Sequence, residues 1–484
     1  MSTKPVKFLE SKSLRQEQGM YKWRDARGIG VLHYYMGFGK TLTAINIILR
    51  YIDKNPNSIV IILVPSEALV RQWKNNLNTY LTPAQKIHVH LYSATEFINS
   101  EERTYADLLV VDEFHEFYTD EKFQLLNKTL INYRFFLGLT GTPFDPQNRH
   151  QRALELIPIV DTITKEECLA NGWISRYREY NVACSLNLTE RLLYDSYSEQ
   201  ISKLLPKFGR NGLTIAQHCL SGGDSQTATG EIVHYTNYQW ALAIAHKNGW
   251  RADLDPANPV HQEILKEWNP NVIIGYARNL MKAIKARKDI VYNAKSKVDA
   301  AIAFLNKHPH LISIIFNQST KVADRFHDAV PKCVVYHSQL PTIELAYGKQ
   351  GKIQKIGKAR RKKLAAQAIM SGEARHISTV SSLDRGFDVP FINCAITTAG
   401  TQNPIQYDQR NSRATRLNLD NPDEVVLIVN FYIKSTKDEP SVDEKWLKKR
   451  QQKVSHDIMW VESIDEIDTR NDQSQTILKD IERT

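Results

Sequence analysis

The sequence predicts an α/β protein built as two tandem parallel-sheet lobes with a mainly helical insertion between them. Three observations carry this reading. At 484 residues the chain exceeds the about 100 to 200 residues of a typical single domain. Two stretches, near 30–160 and 295–435, repeat one grammar: short β-branched runs, each followed by a turn and an amphipathic segment, as in a parallel sheet flanked by helices. The residues between them lose that alternation and read as helical. The expected division is a first lobe over 1–165, an insertion over 166–294, a second lobe over 295–455 and an acidic, polar tail over 456–484.

In the first lobe, Ile59–Val64, Asp107–Val111 and Phe135–Thr140 are strand candidates. Each ends in polar or glycine residues, where parallel sheets carry their ligands. The second lobe offers Leu311–Phe316, Cys333–Tyr336, His376–Thr379, Cys394–Thr397 and Glu424–Val429. The insertion carries a loop signal at Ser221–Gly230 and the aromatics Tyr235, Tyr238, Trp240, Trp250 and Trp268. These rings read as the core of a small helical subdomain, with nucleic-acid contact as the alternative.

A hydrophobic fraction of 42% and a charged fraction of 24% exclude collagen-like, disordered and disulfide-stapled classes. Lys and Arg outnumber Asp and Glu by 63 to 53, a net charge of +10, which suits a polyanionic partner. Cys168, Cys184, Cys219, Cys333 and Cys394 are too dispersed for a zinc knuckle, iron–sulfur cluster or redox pair. The first eighteen residues lack the apolar core of a signal peptide, and the run Ile59–Val64 falls far short of the about 20 residues of a membrane span. The expectation is a soluble, intracellular protein.

Val31-Leu-His-Tyr-Tyr-Met-Gly-Phe-Gly-Lys-Thr41 places a glycine loop between an apolar run and the helical pattern Leu42–Leu49. Backbone N–H groups of such a loop, cleared of side-chain bulk at Gly37 and Gly39 around Phe38, surround phosphate oxygens, and the helix dipole adds to their pull. Lys40 would reach the β and γ phosphates of ATP and Thr41 would ligate Mg2+. The general pattern GxxxxGK[ST] has glycine where this chain has Tyr34. Further on, Leu108-Leu-Val-Val-Asp-Glu-Phe-His115 is an apolar strand ending in paired carboxylates. Asp112 is suited to hold the metal, and Glu113 to polarise an attacking water as general base.

With both halves of a hydrolytic site present, the chain resembles superfamily 2 helicases of the DEAH or DExH type, over both lobes and in the right order. Leu14-Arg-Gln-Glu-Gln18 is similar to the family's element upstream of the phosphate loop, where Arg15 and Gln18 would recognise adenine. Val64-Pro-Ser66 with Arg71-Gln-Trp73, and Tyr92-Ser-Ala-Thr95, resemble the motifs that grip a nucleic-acid backbone, through Ser66, Arg71 and Thr95. Leu139-Thr-Gly-Thr-Pro143 resembles the motif coupling ATP state to strand binding, and His115 would relay that state. The second lobe continues with Phe316-Asn-Gln318, Tyr336-His-Ser338, and Thr379 through Leu383-Asp-Arg-Gly-Phe-Asp-Val-Pro390. These imply nucleic-acid contacts at Asn317, His337 and Thr379 and nucleotide contacts at Gly386 and Asp388. Gln409-Arg-Asn-Ser-Arg-Ala-Thr-Arg416 resembles QRxGRxxR, with Ser412 in the glycine place. It implies arginine fingers at Arg413 and Arg416, with Gln409 nearby.

The resemblance therefore implies two RecA-like lobes, ATP and Mg2+ as cofactors, and a nucleic-acid partner, DNA ahead of RNA: single-stranded, duplex or branched. Replication or recombination proteins would be further partners. The acid-free stretch Lys349–Lys363, with Lys358, Arg360 and Arg361, suits a phosphate backbone, against a solvated face as the plain alternative. The expected activity is an ATP-dependent DNA helicase that unwinds or branch-migrates. The alternatives are a duplex translocase without strand separation, an RNA helicase, or the motor subunit of a larger assembly.

Overall fold

The computed structural model describes residues 10–99, 103–144, 148–226, 232–347, 352–380, 391–399, 404–418, 421, 424–436 and 458–469. The chain divides into two compact units, one of Met1–Ala183, Ala301–Phe431 and Pro440–Thr484, the other of Cys184–Ala300 and Tyr432–Glu439.

The first lobe runs α1 (Glu10–Asp25), β1 (Ile29–Tyr34), α2 (Lys40–Lys54), β2 (Val60–Val64), α3 (Glu67–Tyr80), α4 (Pro83–Lys86), β3 (Val89–Ser93), α5 (Ala94–Asn99), β4 (Thr104–Val111), α6 (Asp120–Phe123), β5 (Ile131–Thr140), α7 (His150–Leu156), β6 (Ile159–Ile163) and α8 (Lys165–Ala170). The six strands form one sheet, β3-β2-β4-β5-β1-β6, parallel throughout. Central strands here are continuous apolar runs because both faces are covered. One face packs against Ile45, Ile48 and Trp73, the other against Phe97, Phe114 and Phe117. Helix α2 repeats apolar residues at helical spacing, and Ala44, Ile45, Ile48 and Ile52 are buried accordingly. The strand order sets β4, β5 and β1 side by side, so the segments leaving their C-terminal ends are neighbours.

After β7 (Tyr177–Cys184) comes the second unit: α9 (Leu188–Leu204), α10 (Gly212–Ser221), the hairpin β8 (Gly223–Gln226) and β9 (Ile232–Tyr235), α11 (Asn237–Lys247), α12 (Pro259–Trp268) and α13 (Pro270–Asn293). Ile201, Phe208, Cys219, Ala241, Ile273 and Leu280 form its core, and Trp240, Trp250 and Trp268 pack against it. Capping boxes at Asn187/Glu190 and Thr236/Gln239 start α9 and α11.

The second lobe follows with α14 (Lys295–Lys307), β10 (Ser313–Asn317), α15 (Thr320–Ala329), β11 (Cys333–Tyr336), β12 (Ile343–Tyr347), β13 (Lys352–Ile356), α16 (Lys358–Ser371), β14 (His376–Val380), β15 (Cys394–Thr397), α17 (Pro404–Ala414), β16 (Val426–Ile433) and β17 (Ile458–Val461). Its sheet runs β11-β14-β10-β15-β16-β7-β17, while β12 and β13 pair as a separate antiparallel ribbon. Two strands fall outside the stretch expected for this lobe. β7 lies within the expected insertion, and β17 within the expected tail, where it pairs with β7 from Ile458↔Glu179 to Val461↔Val182. The helical unit accordingly begins at Cys184 rather than 166.

Candidate functional site

The loop leaving β1 turns through Gly37 at φ 85° and Gly39 at φ 103°, the left-handed region that glycine tolerates. Phe38 between them is fully buried, edge-on to Tyr34 and Trp173. Lys40 and Thr41 open α2. A Cβ placed on Gly141, in the segment after β5, would lie 3.2 Å from Lys40 Nζ, so the amine reaches across to the neighbouring strand's end.

β4 delivers the carboxylates. Asp112 is buried; its Oδ2 accepts from Trp73 Nε1 at 2.8 Å and its Oδ1 from the Glu113 amide at 2.9 Å. Burial pushes its pKa up to about 6, and the Glu113 charge pushes the same way, against Trp73 and Lys40. Glu113 has a positive φ of 49°, which turns the chain sharply after Asp112 so that the two carboxylates take different directions. His115 Nδ1 lies 3.1 Å from Thr140 Oγ1, 3.5 Å from Thr142 Oγ1 and 3.5 Å from Glu113 Oε2. His115 thus joins the carboxylate segment to Leu139–Pro143.

The arginine segment of the second lobe approaches the same loop. Ser412 Oγ donates to Met36 Sδ at 3.4 Å, and Ser175 Oγ donates to the Arg416 carbonyl at 3.1 Å. A Cβ on Gly37 would sit 4.0 Å from Arg416 Cγ. Burial lowers the Arg416 pKa to about 10, so the guanidinium remains charged at neutral pH. Arg413 is half-buried, Gln409 likewise, and Arg410 is buried with Nη1 donating to the Ala399 carbonyl. Gly386 and Asp388 lie outside the described residues.

Several residues do otherwise than their sequence setting implied. Arg15 forks onto Asp161, Nη1 to Oδ2 at 2.6 Å and Nη2 to Oδ1 at 3.0 Å, while Nε donates to Glu167. Its donors are used in bracing α1 against β6 and α8, and Gln18 points to solvent. The residues of α1 that meet the phosphate loop are Lys12 and Gln16, one turn apart: Lys12 Nζ donates to the Gly37 carbonyl at 3.0 Å and Gln16 Nε2 to the Phe38 carbonyl at 3.1 Å. Burial lowers the Lys12 pKa to about 8. Neither residue had a sequence signal, because α1 is polar along most of its length.

Asn317, His337 and Thr379, expected at the nucleic acid, are buried and bonded internally. Asn317 Nδ2 donates to Ser378 Oγ, His337 Nε2 lies 2.9 Å from Asp324 Oδ1, and Thr379 Oγ1 donates to the Tyr336 carbonyl. These bonds brace the loops at the strand ends. Arg71, Thr95, Lys358 and Arg360 are exposed, and Arg361 Nη1 donates to the Pro341 carbonyl. The Ser66 hydroxyl is buried with no hydrogen-bond partner among the described residues. Burial lowers the Lys362 pKa, with Lys358 of α16 and Arg71 of α3 adding to the effect, so basic groups of both lobes share one surface.

A glycine loop, a carboxylate pair and an arginine segment from a second sheet thus meet in an arrangement of the kind that two-lobed P-loop ATPases have. Residues 11–145 match the family model described as "Type III restriction enzyme, res subunit". Over those residues the chain is similar to this helicase family. It is 23% identical over 437 residues to the DNA 3'-5' translocase XPB2 of Sulfurisphaera tokodaii, covering 87% of this chain and 82% of that one. It is 22% identical over 426 residues to a Methanocaldococcus jannaschii protein described as an ATP-dependent RNA helicase, covering 78% of this chain and 53% of that one, so it spans about half that relative's length. Among solved structures, the Pyrococcus furiosus Hef helicase domain aligns over 89% of this chain and 97% of its own, with a TM-score of 0.46 and 15% identity. No helix among the described residues is long and apolar enough to cross a membrane.

Proposed function

We propose that the protein is an ATP-dependent DNA helicase or translocase that couples hydrolysis to movement on DNA. The observation that carries this is the approach of Ser412 and Arg416 to Met36 and Gly37, which makes the nucleotide site composite. A site shared between lobes responds to nucleotide by closing and to hydrolysis by reopening, the requirement for stepping. Lys40 and the loop amides would bind the phosphates, Glu113 would orient and deprotonate water, and Arg413 and Arg416 would stabilise charge on the γ-phosphate. Thr41 and Asp112 would hold Mg2+, for which a hydroxyl and a buried carboxylate are fitting oxygen donors; the ion supplies charge neutralisation for the phosphates. The exposed cations Arg71, Lys358 and Arg360 would take the DNA backbone without reading sequence.

DNA is chosen over RNA because the relative aligned over most of both chains is described as a DNA translocase. That description also favours a second reading, movement on duplex without strand separation. ATPase assays with single-stranded, duplex and forked DNA and with RNA, alongside strand displacement on forks and triplex displacement on intact duplex, test both. Equal or greater stimulation by RNA sinks the DNA assignment. Triplex displacement without fork unwinding selects the second reading, and no stimulation by any polymer overturns the motor.

A further inference from the structure

Helix α13 is the longest of the helical unit, and its two sides differ sharply. Ile273, Ala277, Leu280 and Ala283 face the core. On the opposite side, Arg278, Lys282 and Lys285 follow at spacings of four and three, and all three are exposed. None takes part in an ion pair or hydrogen bond with a described residue. Neighbouring cations of the same unit are engaged: Lys203 pairs with Glu199 at 2.6 Å, Lys207 with Glu267 at 3.6 Å, and the Arg287 guanidinium lies 5.7 Å from the Tyr194 ring centroid. Arg210, Lys247, Lys266 and Lys288 of the same unit are also exposed and make no ion pair with a described residue, but Arg278, Lys282 and Lys285 line up on one face, where like charges a turn apart repel.

Gly275 lies on the same face, one turn before Arg278. A Cβ built there meets nothing within 4 Å. Glycine weakens a helix interior relative to alanine, and internal packing gives no reason for it here. A merely solvated face would account for the lysines but not for the glycine. Both are accounted for by a polyanion lying close against the helix, its backbone passing over the notch at Gly275 and its phosphates meeting the three cations.

We propose that the face of α13 formed by Gly275, Arg278, Lys282 and Lys285 is a docking surface for the phosphate backbone of duplex DNA. The proposal rests on the motor reading and adds a contact in the helical unit. Duplex is favoured over single strand because the stripe has no aromatic ring on which a base would stack, whereas single-strand sites combine cations with such rings. Arg278 to Lys285 spans about 10 Å of helix, a rigid row matched to a rigid row of phosphates.

The test is fluorescence anisotropy of the full chain with duplex and single-stranded DNA between 50 and 200 mM salt. For R278A/K282A/K285A the log Kd against log salt slope on duplex should become shallower by about 2.7, at about 0.9 per lost phosphate contact. Wild type would then lose about 40-fold more affinity than the variant across that fourfold salt range. G275F should weaken duplex binding without any charge change, while G275A should bind nearly as wild type and melt higher. ATPase without DNA should be unchanged in all three. Wild-type binding with unchanged slope and affinity in the triple variant overturns the stripe and leaves the motor standing. Equal losses on single strands overturn the duplex assignment. Wild type binding neither polymer overturns both readings.

Discussion

Substituting Asp161 with Asn should detach α1 from the first lobe and weaken ATP binding at a distance. Asp161 is buried and accepts four hydrogen bonds: two from Arg15, one from Lys22 at 2.6 Å and one from Tyr34 at 2.9 Å. Lys22 is half exposed, so its ion pair contributes little. Arg15 is only 12% exposed, so its fork is the strong contact. Asn offers a single acceptor oxygen and turns an N–H towards donors. Breaking a buried pair costs about 3–5 kcal/mol; Glu167 remains on Arg15, which brings the expected loss to roughly 2–3 kcal/mol, or about 4–12 °C in Tm for a domain of this size. Burial opposes ionisation of Asp161, but the hydrogen bonds from Arg15, Lys22 and Tyr34 prevail and hold its carboxyl below the usual range. A depressed folded-state pKa gives stability that is present above the ordinary carboxylate value and lost as pH falls through the folded one. The Tm gap between wild type and D161N should therefore hold from pH 8 to 5 and close below about pH 4. Because α1 carries Lys12 and Gln16 onto the loop carbonyls, KM for ATP should also rise several-fold. Calorimetry and steady-state ATPase read the two effects. An unchanged Tm refutes the brace, and a lower Tm with unchanged KM refutes its link to the phosphate loop.

Gly39→Ala places a Cβ 2.7 Å from Gln16 Nε2 at a φ of 103°. The strain of about 1–2 kcal/mol should raise KM for ATP roughly tenfold, with Q16A relieving the clash but not the backbone. Arg413→Ala should cut nucleic-acid-stimulated kcat by about 10³ while nucleotide affinity, measured by titration, is retained. Full turnover removes Arg413 as a finger. His115→Ala deletes the Nδ1 contact shared by Thr140, at 3.1 Å, and the more distant Thr142; with about 1 kcal/mol for that one hydrogen bond, DNA stimulation of ATPase should fall roughly fivefold with basal KM unchanged, and equal loss with and without DNA would deny the relay.

The parts of this site that were legible in sequence are those in which local pattern and chemistry coincide. A strand, two glycines, a lysine and a helix lie in consecutive order at 31–49, and the strand ending in Asp112 and Glu113 needs no distant partner to be recognised. Legibility failed where the deciding partner is far away. β7 joins the second sheet beside strands more than two hundred residues later, and nothing local distinguishes it from a connector. Asn317, His337 and Thr379 sit where ligand-binding side chains belong in such sheets, yet each is itself a buried polar group that finds its hydrogen bond within the protein, a demand visible only in three dimensions. Arg15 has the chemistry to meet a base, but Asp161 lies 146 positions away and takes its fork.

The same distance explains the one departure in the phosphate loop. Where the general pattern has glycine this chain has Tyr34, the last residue of β1, and its ring is fully buried against Phe38. Its hydroxyl donates to Asp161, the anchor of α1. Room for that hydroxyl comes from Gly19 in α1, where a Cβ would fall 1.7 Å from it, a clash no side chain escapes. The glycine absent from the loop and the glycine present in the helix are thus two halves of one contact. Restoring the pattern with Tyr34→Gly would remove a hydrogen bond and about 3–5 kcal/mol of buried aromatic packing, so it should destabilise the lobe instead of improving ATP binding. A lower KM together with an undiminished Tm in that variant would show the tyrosine to be dispensable.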